Sequence, residues 1–233
     1  MKKCVPLLCI CALLVFTAGV SAYELTWDYL ARTTWGDGIR PDGDSYGNTA
    51  VWDYKYTPFN STNYALYQAL PNWYAPYGMW SYLPVPGVAA DNNWLVVAVN
   101  TAHPGNLNDL AIQFIAPMDG VYDVSVQLYN WNGENLNGAD GQNFYLQKMS
   151  SILDTENNPV HGTSVLSAQD VSLLAGESLF LRINMKANSH YDSISVQQFV
   201  VTGTFPDPVV VPEPASLILI LAGLSVLIRR LRR

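Results

Sequence analysis

Cysteine, histidine and basic side chains are the scarce types in this 233-residue chain. All three cysteines (Cys4, Cys9, Cys11) lie near the N-terminus. Nothing downstream of them can form a disulfide, act as a thiol nucleophile or supply a cysteine-bound zinc. His103, His161 and His190 are far apart, and none falls in HExxH spacing. There is no GxSxG elbow, Walker loop or GxGxxG turn. Between residues 23 and 211, eighteen Asp and Glu face only six Lys and Arg, a net charge of −12. The overall charge of −7 conceals this, because half of the basic residues sit in the two terminal segments. So acidic a stretch speaks against DNA or RNA, whose affinity comes largely from neutralised phosphates, and against anionic lipid surfaces. No nucleic-acid partner is expected.

Long apolar runs are equally rare, and the two present are terminal. Met1–Ala22 has the layout of a secretory signal peptide. Lys2 and Lys3 form the basic region, Val5 to Phe16 the apolar region, and Val20-Ser21-Ala22 a small-residue cleavage site. Cleavage between Ala22 and Tyr23 is expected, with the Sec translocon and signal peptidase as partners. Without cysteines, the exported domain must rest on its core.

At the other end, Pro212-Glu213-Pro214 precedes an uncharged run from Ala215 to Ile228, and Arg229, Arg230, Arg232 and Arg233 follow. Fourteen residues of helix extend roughly 21 Å against a hydrocarbon core of about 30 Å, short for a permanent anchor. The arginines fix the tail in the cytoplasm and leave everything upstream outside. The two prolines hold the acidic tripeptide extended, open to a processing enzyme. The order closely resembles the PEP-CTERM sorting signal of Gram-negative bacteria, which a membrane peptidase, exosortase, reads on proteins bound for the cell surface or exopolysaccharide matrix. The resemblance implies an exported chain, inserted in the inner membrane at least transiently through residues 215–228, then placed at the surface. A plain tail anchor would need the apolar run and arginines but gives no reason for Pro-Glu-Pro.

The expected layout is a signal peptide over 1–22, a domain over 23–205, a Pro- and Val-rich linker over 206–211 and the sorting segment over 212–233. Residues 23–94 hold six of the seven tryptophans and most of the tyrosines among Asn, Asp, Gly and Pro. TAVWDYKY (49–56) alternates weakly as a strand, and 63–70 suggests one short helix. From Trp94 the strand signal strengthens: WLVVAVN (94–100), LAIQFIAP (110–117), VYDVSVQLY (121–129) and NFYLQKM (143–149). In 121–129, Tyr122, Val124, Val126 and Leu128 share one face, the period-two mark of an antiparallel sheet covering a core. Residues 150–170 are polar and without clear pattern. VSLLAGESLFLRINMK (171–186) reads as two strands about an Ala-Gly-Glu turn, and SISVQQFVVTGT (193–204) as a last strand whose alternation slips at Gln197-Gln198, predicting a bulge. Short strands, Gly/Pro/Asn turns and no sustained helix predict a mainly β fold, an antiparallel two-sheet β-sandwich. HPG (103–105), FIAPMDGVYDVSV (114–126), LLAGESLFLRIN (173–184) and YDSISV (191–196) resemble jelly-roll modules of extracellular bacterial proteins akin to carbohydrate-binding domains. That resemblance covers a little under half of the chain.

The motif inventory assembles no catalytic site, and the chain reads as non-enzymatic. Carboxylate pairs such as Glu134 with Asp140, or Asp119 with Asp123, can be named for glycoside hydrolysis, but nothing in their spacing selects them. His103 falls in the HPG turn, where a structural role is the simpler reading. Calcium is the one cofactor the oxygen-rich loops suit: Asp42 and Asp44 on one Gly-rich loop, Glu134 and Asp140 on another, none in EF-hand order. Solvated acidic turns are the simpler reading of those loops. The jelly-roll resemblance adds Asp192, since an Asp before the final strand recurs in such modules as a metal ligand or turn cap. For stacking on sugar rings the densest candidates are Trp73, Tyr74, Tyr77, Trp80 and Tyr82, with Trp131 on an Asn-rich loop. The competing reading is that most of these rings fill the core. A polysaccharide is the corresponding partner.

Overall fold

A computed structural model describes residues 22–32, 35–84, 95–130, 140–158, 161–187 and 192–206. Its strands run in the order β1 (Ala22–Asp28), β2 (Trp52–Pro58), β3 (Gln68–Ala69), β4 (Asn72–Tyr74), β5 (Met79–Ser81), β6 (Val96–Val97), β7 (Thr101–His103), β8 (Asn108–Ile115), β9 (Gly120–Asn130), β10 (Gln142–Lys148), β11 (Ser151–Asn158), β12 (Gly162–Leu173), β13 (Ser178–Met185) and β14 (Ile194–Pro206). Short 3-10 turns at Tyr29–Ala31, Tyr64–Leu66 and Ala75–Tyr77 are the only helical elements among the described residues. None is long and apolar enough to cross a membrane. The expected linker beyond Pro206 and the whole sorting segment, including Pro212, Glu213, Pro214, Arg229, Arg230, Arg232 and Arg233, lie outside the described residues. So does the signal peptide up to Ser21, while Ala22 and Tyr23 open β1.

Glu24–Phe205 forms one unit. Its strands make two antiparallel sheets, one in the order β12-β9-β14-β7-β6-β5-β4 with β1 also on β14, the other β11-β10-β13-β8-β2-β3. The mainly β, sandwich-like expectation holds. Alternation in β9 explains why: Tyr122, Val124, Val126 and Leu128 are buried, while Val121 and Asp123 are exposed and Ser125 and Gln127 half-buried. Across the gap the sheets meet ring to ring. Phe114 of β8 lies 5.9 Å from Tyr122 of β9, and Trp52 of β2 lies 5.0 Å from Phe199 of β14. Trp27 on β1 joins this cluster, within 5.6 to 6.1 Å of Phe114, Tyr122 and Phe205. With no disulfide available, these large rings supply the apolar burial that holds the sheets together. Gly203 is required here by space, since a Cβ there would overlap the Phe205 and Tyr122 rings.

Departures from the expected strand map have local causes. The 63–70 segment is one 3-10 turn, capped by the Asn63 side chain accepting from the Ala65 amide (3.1 Å), and then the two-residue β3. Only Val96–Val97 of the expected 94–100 strand pairs, and Trp94 lies outside the described residues. Residues 151–158 and 162–170, without pattern in sequence, are β11 and most of β12, which runs on into the strand expected from Val171. Each lies at the edge of its sheet, where one face and one flank meet water, so its residues need not be apolar. A register shift between Ala168 and Val171, with Asp170 at φ 55°, also breaks the period of β12. The bulge expected near Gln197-Gln198 is present, between Val196 and Gln198.

Strand β13 is buried along its whole length, so both of its faces are covered. Leu179, Leu181, Ile183 and Met185 alternate with Phe180, Arg182 and Asn184, which share the other face. On that face Arg182 donates to Asp109 (2.5 Å) and Gln147 (3.1 Å), and Asn184 donates to Asp109 (2.6 Å). Its guanidinium also lies 3.9 Å from the centre of the Tyr145 ring. The segment before β3 closes this face. The Asn60 amide donates to Asp109, the Thr62 carbonyl accepts from Gln147, and the Tyr67 ring sits 4.7 Å from Phe180. Burial raises the pKa of Asp109, against the pull of the Asn184 and Arg182 donors.

Candidate functional sites at the aromatic edge and the polar end

The candidate stacking residues divide by strand alternation. Trp73 and Trp80 face each other in register on β4 and β5, so their side chains share a face, the face that carries Val97 and Ala102 into the core. Their rings are 5.4 Å apart. Trp35 meets Trp73 at 5.7 Å and Tyr54 of the other sheet at 5.2 Å. Arg40 covers Trp80 at 5.1 Å, and Gly38 (φ +75°) lets its loop approach Trp73 so closely that a Cβ would stand 2.7 Å from that ring. Trp80, 6% exposed, therefore offers no face to a sugar. It is a core residue, and its place among the stacking candidates is corrected accordingly. Tyr82 pairs with Tyr56 at 4.9 Å. Tyr74 and Tyr77 differ: they lie 5.4 Å apart beside the edge strand β4, and Tyr77 is 70% exposed. Trp131 lies outside the described residues.

The Asp42–Asp44 loop is also reassigned. Asp42 is fully buried, accepts from the Tyr54 hydroxyl and lies 3.4 Å from Arg32 Nε. Arg32 in turn is stacked on Tyr29 at 3.9 Å and Trp35 at 4.2 Å. Burial pushes the Tyr29 hydroxyl up to about 12. Asp44 accepts from Trp27 Nε1 (2.6 Å), the Asn48 side chain (2.7 Å) and the amides of Tyr46 and Asn48. Burial alone would raise its pKa, but these donors, Asn48 first, hold it below the usual carboxylate value. The oxygens that calcium would need are spent on tying the loop to the Trp27 core. A cleft of about 80 Å³ lined by Thr26, Trp27, Arg32, Asp44 and Trp52 adjoins it, far below the about 300 Å³ at which small-molecule pockets begin.

The polar end of the sandwich carries two carboxylates with unpartnered oxygens. Asp140 precedes β10, Asp192 precedes β14, and β13 ends at Met185. Asn130 of β9 donates to Gln142 of β10 (2.9 Å), a buried hydrogen bond from one sheet to the other. Asp140 accepts from the Ala187 amide (2.7 Å) through Oδ2, while its buried Oδ1 has no hydrogen-bond partner. Asp192 is fully buried, and neither carboxylate oxygen has a hydrogen-bond partner. Burial first, then the negative Asp140, push its carboxyl up to about 8, with Lys186 offsetting less. No group of three His, Cys, Asp or Glu side chains converges among the described residues. Glu134 and His190 lie outside the described residues, as does Tyr191. His161 lies beside Tyr129, ring centres 5.5 Å apart, and His103 meets the Pro104 carbonyl.

No protein-family model matches the chain, and no curated protein matches its sequence. Solved structures show remote likeness. A GH26-CBM35 β-(1,4)-mannanase from Podospora anserina is 11% identical over 80% of this chain and 29% of its own, with a TM-score of 0.32. An apo cyclase from Fischerella sp. is 12% identical over 67% of this chain and 98% of its own, at 0.31. A carbohydrate-binding module, CBM36, solved with calcium and xylotriose, is 10% identical over 41% of this chain and 73% of its own, at 0.26. The chain thus spans under a third of the mannanase.

Proposed function

We propose that this chain is an exported, non-enzymatic protein of the cell surface or extracellular matrix, associated with exopolysaccharide or biofilm. The observation that carries the reading is the order Pro212-Glu213-Pro214, apolar 215–228, then four arginines, joined to an N-terminal segment with signal-peptide layout. On this reading the Sec translocon exports the chain, signal peptidase cuts after Ala22, and an exosortase-type peptidase handles the tail. An acidic, cysteine-free β domain suits solubility outside the cell. Deleting residues 211–233 and fractionating the cells tests the reading. Loss of surface delivery is expected, and unchanged delivery would overturn it.

A second reading, binding of carbohydrate by the sandwich, is favoured by the Tyr74–Tyr77 pair at a sheet edge, with Tyr77 70% exposed. The C–H faces of sugars suit such rings, and an open aromatic edge takes a polymer without needing a deep pocket. Tyr77→Ala should weaken binding to an exopolysaccharide or to an arrayed glycan. Binding unchanged in both Tyr74→Ala and Tyr77→Ala would remove the site.

A further inference from the structure

The outer faces of the two sheets are finished differently. Over β13 the segment before β3 closes the face, and the cations there are spent, Arg182 on Asp109 and Lys55 on Asp53. The face of β12, β9 and β14 is open. Because Tyr122, Val124, Val126 and Leu128 of β9 are buried, the residues between them point away from the core. Register sets their neighbours, and rows across the three strands read Ser167–Ser125–Val200, Val165–Gln127–Gln198 and Thr163–Tyr129–Ser195. Each of these residues is exposed or half-buried.

None of them is charged. Asp123, in the row before Ser125, already accepts the Asp170 amide (2.9 Å). Soluble surfaces carry charge at roughly a quarter to a third of their positions, so an uncharged block this wide is a departure. It is the more so in a stretch with eighteen Asp and Glu. Pairing along the strand edge is obstructed, since Asp154 of β11 takes the Ser167 amide of the edge strand β12 (2.8 Å). What the sheet offers is its face.

We propose that two copies of the chain meet on this face, sheet against sheet, about 10 Å apart. Charge selects the occupant. Residues 23–211 carry a net −12, so copies repel each other, and least where the surface is uncharged. A strongly cationic or anionic partner finds no counter-charge on these rows. A two-fold contact also requires self-complementary groups, because each side meets the same surface. Hydroxyls and amides both donate and accept, so Ser, Thr and Gln can pair with their own kind, which carboxylates cannot. Gln127 already does so within the face, donating to Gln197 (3.1 Å). Val165, 59% exposed, with Val200 and Tyr129 supplies apolar area between these groups.

Sedimentation of the full-length chain in non-ionic detergent, over a range of protein concentrations, tests the face. The parent should pass from monomer to dimer as concentration rises. Gln127→Glu and Ser125→Glu each place like charges across the contact and should raise the dimer Kd at least about tenfold. Both side chains point outward, so each variant should keep the Tm of the parent. Ile39→Glu adds the same charge on the loop that covers Trp73 and should leave the dimer intact. A parent that stays monomeric throughout would overturn the proposal. So would a dimer that survives both glutamates, because its contact then lies elsewhere, residues 215–228 included. Equal weakening by Ile39→Glu would trace the effect to total charge and would also overturn it.

Discussion

Replacing Arg182 with Met isolates the polar network on the outer face of β13. Arg182 is 2% exposed and Asp109 fully buried, so removing the guanidinium leaves a carboxylate in the interior with only amide donors, Asn184 and the Asn60 N–H. Methionine keeps most of the volume and the contact with Tyr145, so the loss is mainly electrostatic. Breaking a buried pair from one side costs about 3–5 kcal/mol. With a urea m-value of about 2 kcal/mol/M, the unfolding midpoint should fall by roughly 2 M. Urea titration of the full-length chain, followed by tryptophan fluorescence and circular dichroism, reads this directly. Arg182→Met combined with Asp109→Asn should recover at least about half of the loss, because the stranded charge is gone. A single-variant loss under about 1 kcal/mol, or a double variant no more stable than Arg182→Met, would refute the reasoning.

Three further outcomes follow from the packing. Trp27→Ala removes a ring that meets Phe114, Tyr122 and Phe205, and should cost about 3–5 kcal/mol by the same titration. Gly203→Ala forces a methyl into Phe205 and should cost about 1–3 kcal/mol, whereas Gly47→Ala meets no atom and tests only its φ of +96°. Asp44, whose pKa is lowered on folding, contributes stability that is present above the unfolded carboxylate pKa near 4 and lost as pH falls through the lower folded value. Acid titration of Asp44→Asn should therefore lack part of the low-pH loss seen in the parent.

Strand alternation made the central strands legible. Tyr122, Val124, Val126 and Leu128 are inward as their period demands, and the slip at Gln197-Gln198 marks a real bulge. The edge strands β11 and β12 were not legible, because none of residues 151–157 is buried and in β12 the inward Ser164 and the shift near Asp170 break the apolar alternation. Residue type misled at two places for one reason. Tryptophan and aspartate suit both a binding surface and a satisfied interior, and only the neighbours decide. Trp80 lies under Arg40, and Asp44 is filled by Trp27 and Asn48. The converse holds for Arg182 and Asp109, two charges in apolar strands that the sequence reading passed over and that the structure joins as a buried pair.

The exported-protein reading rests on what happens at both ends of the chain, and the intact mass of the protein recovered from the cell surface or matrix measures both at once. The account predicts a species that begins at Tyr23 and has lost the segment beyond Pro212-Glu213-Pro214, arginines included. A protein confined to the cytoplasm, with Met1–Ala22 and Arg229–Arg233 still attached, would contradict it.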